Sequence, residues 1–270
     1  MHRTSSPIAS LRKDPDTNSE QVSQTYFGEG IHVIEKQKGW VHVQTEDGYY
    51  GWLEEKHCSP DYFPKEPLFC CRIGSMKAHL YESPSIYKGP VASLSFASPI
   101  AVKEQVMNAR GEQWYRISTH REDLYLLESD TCPLYHIRSR EECTELAEKF
   151  LHHPYTWGGR SSLDGFDCSG FVQMVYKEMG ILLPRDAKDQ IRSNHLIPTS
   201  QEDLKPCDLI FWENKEGQVV HVALHLKKGE FIHATATIQP ILIRKNRLDE
   251  TDWNGSERLP KRYFCTTKAH

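Results

Sequence analysis

The chain has 270 residues, a formal net charge of −4 and 38% hydrophobic residues, a globular composition with no basic excess for nucleic acid. The length leaves room for more than one module. No apolar stretch approaches the length of a membrane span, and no zinc-type cysteine spacing stands out, so neither a membrane partner nor a metal or other cofactor is expected.

Met1–Ser10 contains no apolar core of a secretory leader, which predicts a cytoplasmic protein. In that compartment the eight cysteines read as reduced thiols. Residues 22 to 56 read as short strands separated by turns. Gly30-Ile31-His32-Val33-Ile34-Glu35, Gly39-Trp40-Val41-His42-Val43-Gln44-Thr45 and Gly48-Tyr49-Tyr50-Gly51-Trp52-Leu53 alternate apolar and polar positions. Asp47-Gly48 is a hairpin signal. Cys58 to Leu68, with Pro60, Pro64 and Pro67, reads as a linker. A weaker copy of the first pattern runs from 75 to 128, through Ala78-His79-Leu80-Tyr81, Ile100-Ala101-Val102, Gln113-Trp114-Tyr115-Arg116-Ile117 and Leu124-Tyr125-Leu126-Leu127. The shared order suggests a repeat; one larger all-β domain is the alternative.

Ser139-Arg140-Glu141-Glu142 is a capping box opening a helix, which ends before Pro154. Tyr155-Thr156-Trp157-Gly158-Gly159 is a turn-rich aromatic stretch whose glycines let the backbone approach a ligand. Asp167 is a natural N-cap for a second helix, with apolar residues at 171, 172, 175, 176 and 179 and Gly180 as its stop. Cys168 therefore falls in the first turn, where free N–H groups and the positive dipole end favour a thiolate. An isolated cysteine on a core helix is usually structural; the histidines downstream shift the balance toward a nucleophile.

Asp208–Trp212, His221–Leu226, Glu230–Ala234 and Ile241–Ile243 read as successive strands. A two-residue hairpin loop would put His221 and His233 on opposite faces. A three-residue loop with Gly229 in the left-handed region would put them on one face. His225 shares a face with His221, but a lone strand histidine is more often structural than catalytic.

These pieces resemble the NlpC/P60 family of papain-like cysteine peptidases. The matching residues are Tyr155-Thr156-Trp157-Gly158-Gly159, Asp167-Cys168-Ser169-Gly170-Phe171, Leu183-Pro184-Arg185, Lys205-Pro206-Cys207-Asp208-Leu209-Ile210-Phe211-Trp212, His221-Val222-Ala223 and Phe231-Ile232-His233-Ala234. They stand in the family's order over about residues 140 to 245. The resemblance implies Cys168 as nucleophile, His221 as general base and His233 as the polar residue orienting it. Tyr155, Trp157, Asp167 and Ser169 would contact substrate. Cys207 departs from the pattern, which usually has glycine before Asp-Leu.

Gly39-Trp40 and Gly48-Tyr49-Tyr50-Gly51-Trp52-Leu53 resemble bacterial SH3 (SH3b) domains. The implied fold class is α+β: a papain-like catalytic domain at 131–270, preceded by an N-terminal arm with a first SH3b-like barrel at 1–67 and a second at 68–130. Two such modules without a leader resemble cytosolic γ-D-glutamyl-L-diamino acid endopeptidases, in which the first SH3b domain covers one end of the substrate groove. By that resemblance Tyr49 helps bind an N-terminal L-Ala, Glu20 is a candidate acidic partner, and Asp167 suits the free α-amino group. The expected substrate is a cell-wall peptide, L-Ala-γ-D-Glu-diamino acid, cleaved before the diamino acid. An exported hydrolase of intact wall, and a catalytically inactive wall-binding protein, are the alternatives. The diamino acid, the oligomeric state and the choice between recycling and remodelling stay open.

Overall fold

Alternation along the first half of the chain builds β-structure, and the helical periodicities of the second half build helices against a sheet. The computed structural model describes residues 1–250, 259 and 261–268. It divides into two units, Met1–His136 with Ser161–Asp164, and Ile137–Arg160 with Gly165–His270.

In the first unit, an antiparallel seven-stranded sheet runs in the order Gln21–Tyr26, Ile8–Arg12, Tyr50–Glu54, Trp40–Thr45, Gly30–Gln37, His2–Thr4, Cys58–Pro60. Along Trp40–Thr45 every second side chain is buried, and Val41 and Val43 join Ala9, Leu11, Ile31 and Leu53 in one core. The turn before Trp40 carries Lys38 and Gly39, both at positive φ, as a two-residue primed turn requires. The N-terminal arm takes part in the sheet: His2–Thr4 and Ile8–Arg12 are strands of it. The expected linker begins as a strand, since Cys58–Pro60 pairs with His2–Thr4. Its Pro60 is tolerated because the strand lies at the sheet edge.

Phe69–Pro133 follows the same succession of elements. Its five-stranded sheet runs in the order Asp123–Leu127, Gln113–Ser118, Pro99–Met107, Phe69–Ile73, Thr131–Pro133, with Lys77–Leu80 and Ala92–Ser95 as a separate pair. Each stretch has a long strand with a register shift, at Val33/Glu35 and at Val102/Glu104. Each then ends in a 3-10 turn, Glu55–His57 or Glu128–Asp130, and a short strand returning to the first. Thr131–Pro133 pairs with Phe69–Ile73, and residues through His136 belong to the first unit.

The second unit holds helices α1 (Arg140–Lys149), α2 (Cys168–Glu178) and α3 (Ala187–Gln190) and a six-stranded antiparallel sheet. Strand order is Leu196–Pro198, Lys261–Thr267, Leu209–Glu213, Val219–His225, Glu230–Thr235, Leu242–Arg247. The Ser139–Glu142 capping box is present at α1. Helix α2 packs on the neighbouring strands Val219–His225 and Glu230–Thr235, which carry the histidines, burying Phe171, Val172, Val175 and Tyr176. Ile210, Trp212, Ala223 and Phe231 belong to a further buried cluster with Leu248. The Tyr176 hydroxyl donates to the Cys207 carbonyl at 2.7 Å. Cys207 itself has φ 64°, the left-handed region in which glycine is the low-strain residue.

Candidate active site

Asp167 ends the extended approach and caps α2: its Oδ1 accepts from the Gly170 N–H at 2.7 Å. Cys168 is thus the first residue of the helix. Two glycines make this possible. A Cβ on Gly170 would meet the Gly159 carbonyl oxygen at 2.2 Å, and one on Gly159 would meet the Gly165 carbonyl oxygen at 2.5 Å. The Trp157–Gly159 turn is therefore pressed directly against the helix start.

Asp167 is heavily engaged. Its Oδ2 accepts from the Gly158 N–H at 3.0 Å, and Arg185 grips both oxygens, at 3.0 and 2.6 Å. Ser169 Oγ donates to Asp167 Oδ1 at 3.3 Å and accepts from Arg185 Nη1 at 2.9 Å. Arg185 is 2% exposed, so this is a buried, bidentate, charge-assisted pair. A carboxylate in that state is compensated already, and its first task is to order the helix start.

The strand Val219–His225 delivers His221. Leu226 N–H donates to the Glu230 carbonyl at 2.9 Å, so the hairpin loop is Lys227–Gly229, with both Lys228 and Gly229 at positive φ. This three-residue loop puts His221 and His233 on one face. Their rings lie 5.0 Å apart at 78°, and His221 Nε2 is 2.8 Å from His233 Nδ1. His233 Nε2 is 3.0 Å from Asn246 Oδ1. His225 is turned to the Lys205 carbonyl, 2.9 Å from its Nδ1, a structural role.

Cys168 is half-buried, and the backbone N–H of Val222, next to His221, reaches its sulfur. Burial, then the Asp167 charge, pushes the thiol up to about 12; the Val222 and Ser169 N–H groups and Arg185 pull the other way. Desolvation is thus the largest influence on the thiol and opposes the helix end. Burial, then His233, holds His221 well below its usual value. Burial brings His233 down to about 3, opposed by the Asn246 hydrogen bond and aided by Arg244. Burial disfavours the charged forms of all three groups, which favours a neutral resting state with general-base transfer during attack.

Tyr155 is half-buried, and its phenol is raised by burial and by the nearby Cys168 and Asp167. Trp157 is 63% exposed. Tyr49 and Glu20 lie in the other unit, Tyr49 at the hairpin where its carbonyl accepts from the Thr45 N–H at 2.9 Å. Arg185 and Asn246 carried no role in the sequence reading. The first stood in the Leu-Pro-Arg signal. The second lay beyond Ile243, where charged residues suggest a loop, although the strand continues to Arg247. Among the described residues no group of three or more His, Cys, Asp or Glu is placed to hold a metal ion.

Residues 152–255 match the NlpC/P60 family model, and residues 11–57 match the bacterial dipeptidyl-peptidase Sh3 domain. The chain is 30% identical over 238 residues to a gamma-D-glutamyl-L-lysine dipeptidyl-peptidase of Bacillus subtilis (strain 168), covering 84% of this chain and 76% of that one. The chain belongs to the NlpC/P60 family. This NlpC/P60 protein is a cysteine peptidase with an SH3b-like all-β region ahead of its catalytic fold. A Bacillus cereus enzyme of the same name is 28% identical over 237 residues, covering 81% of this chain and 68% of that one. A crystal structure of an NlpC/P60 family protein from Bacillus cereus ATCC 10987 superposes with a TM-score of 0.78 at 22% identity, covering 93% and 95% of the two chains, a likeness of fold. No helix among the described residues of this peptidase is long and apolar enough to cross a membrane.

Proposed function

We propose that this peptidase hydrolyses the bond between γ-D-Glu and a diamino acid in cell-wall peptides with a free N-terminal L-Ala. The carrying observation is the co-linear match, over 84% of the chain, to an enzyme named for that bond and for releasing a dipeptide. Cys168 is the nucleophile. His221 takes its proton as sulfur attacks the amide carbonyl and returns it to the leaving amine, and water then cleaves the thioester. His233 holds the His221 ring. The first N–H groups of α2 stabilise the oxyanion.

The recurrence of elements from His2–Pro60 in Phe69–Pro133 supports a second SH3-like copy rather than one larger β domain. Tyr155, Trp157, Asp167 and Ser169 of the catalytic unit and, by the family resemblance, Tyr49 are our choice for substrate contacts. Asp167 acts with Arg185 as one neutral pair that sets Ser169 and the helix start. The eight cysteines are all free thiols, which supports a reducing compartment, the cytoplasm, and hence soluble peptides as substrates over intact wall.

The test compares L-Ala-γ-D-Glu-diaminopimelate with its N-acylated form, products being read by mass spectrometry. The free peptide should release L-Ala-γ-D-Glu rapidly and the acylated one hardly at all. Comparable rates on free peptide and on intact sacculi would overturn the reading in favour of an exported wall hydrolase.

A further inference from the structure

We propose that Asn246 and Glu250 are positioning residues that fix which nitrogen of each active-site imidazole carries its proton; this rests on the reading of Cys168 and His221 as nucleophile and base. The polarity of the chain starts at Glu250. Asn246 Nδ2 donates to Glu250 Oε2, and swapping the amide would turn its carbonyl oxygen toward a carboxylate. The Asn246 oxygen therefore faces His233, and only an Nε2–H can meet it, at 3.0 Å. A neutral His233 then presents its Nδ1 lone pair to His221, whose Nε2 must donate, at 2.8 Å. The remaining lone pair of His221 is on Nδ1. That nitrogen is the base that accepts the Cys168 proton, which passes to the leaving amine in the second half of the step. With the opposite amide orientation every donor in the series reverses, His221 carries its proton on Nδ1, and it has no lone pair to offer.

The Glu250 end is held in place. Leu248 is buried in the sheet cluster, its N–H donates to the Gly229 carbonyl at 2.9 Å, and the Glu250 N–H donates to the Arg247 carbonyl at 3.2 Å. The turn after the Leu242–Arg247 strand thus aims one carboxylate at one amide. Arg244 is the charged neighbour acting on His233 from the same strand.

Three measurements test this. In long-range proton–nitrogen spectra of the wild-type protein, His221 and His233 should both be Nε2–H tautomers. Asn246→Leu should lower kcat about 10- to 100-fold, the usual cost of removing a histidine's orienting partner, with KM unchanged. Glu250→Ala should lower kcat and Glu250→Gln should rescue it, because a Gln carbonyl still accepts from Asn246. An Nδ1–H tautomer on either ring, or wild-type kcat in Asn246→Leu, overturns the proposal. If Asn246→Leu does not fold, the wild-type spectrum and the Glu250 pair decide. Activity retained in Cys168→Ala or His221→Ala would instead remove the catalytic reading beneath it. Loss of activity in both, with unchanged kcat in Asn246→Leu, removes only the proposal.

Discussion

His221 and His233 meet nitrogen to nitrogen at 2.8 Å, although they come from different strands and are joined by a three-residue loop. Two neutral imidazoles in that contact hold one proton between them. Burial disfavours a further proton on both rings, helped by His233 at His221 and by Arg244 at His233.

The first expectation concerns Cys168. With its thiol pushed up to about 12, little thiolate exists at neutral pH. Alkylation of residue 168 by iodoacetamide, followed by peptide mass spectrometry, should accelerate up to pH 9 without levelling off. An ordinary cysteine levels off above its value of about 8.5. A plateau reached below pH 7 would mean a preformed thiolate–imidazolium pair and contradict the resting state described.

Stability should fall in acid through the buried imidazoles. His233 is depressed to about 3 when folded, so the unfolded chain binds more protons below its usual value of about 6.5. The stabilisation is present above that value and is lost as pH falls toward about 3, with a slope of about 1.4 kcal/mol per pH unit for each such group. Urea unfolding at pH 7, 5.5 and 4.5 should show a shallower fall for His233→Asn than for wild type. Equal slopes would reject the assignment.

Arg185→Met leaves the Asp167 carboxylate buried without its guanidinium. Breaking a buried pair in this way costs roughly 3–5 kcal/mol. Removing both charges, in Asp167→Asn with Arg185→Met, should recover part of the loss, and a double-mutant cycle in urea measures the coupling. Arg185→Lys should not substitute, because an ammonium cannot hold both oxygens. Additive effects of the two substitutions would show that the pair is not a unit.

Gly170→Ala tests the close approach at the helix start. Its Cβ would lie 2.2 Å from the Gly159 carbonyl oxygen, so the turn and the helix must separate. Overpacking of this kind typically costs about 1–3 kcal/mol, and here it also moves Cys168, so kcat should fall with stability. Gly39→Ala is the control: nothing lies within 4 Å of its Cβ, so although its φ of 85° strains an alanine and lowers stability, kcat should stay unchanged. Wild-type activity in Gly170→Ala would show that the approach is not needed.

Local pattern in the sequence determined much of the site. Asp167 and the helical spacing after it put Cys168 at a helix start, Ser139 with Glu142 capped α1, and alternation placed both histidines on neighbouring strands. These are short-range properties, set by neighbours along the chain. The repeated β-pattern was legible for the same reason. What only the tertiary structure decided involves partners far apart in sequence. The strand Lys261–Thr267 inserts between Leu196–Pro198 and Leu209–Glu213, and His2–Thr4 recruits Cys58–Pro60; neither pairing leaves a local signature. Arg185 closes on Asp167 across 18 positions, a bidentate pair that spacing along the chain does not reveal. Asn246 reaches His233 because a strand that reads as polar continues past Ile243. The thiol's surroundings were likewise set by folding, since a helix end is visible in the sequence but the desolvation that opposes it exists only once the chain has closed around Cys168.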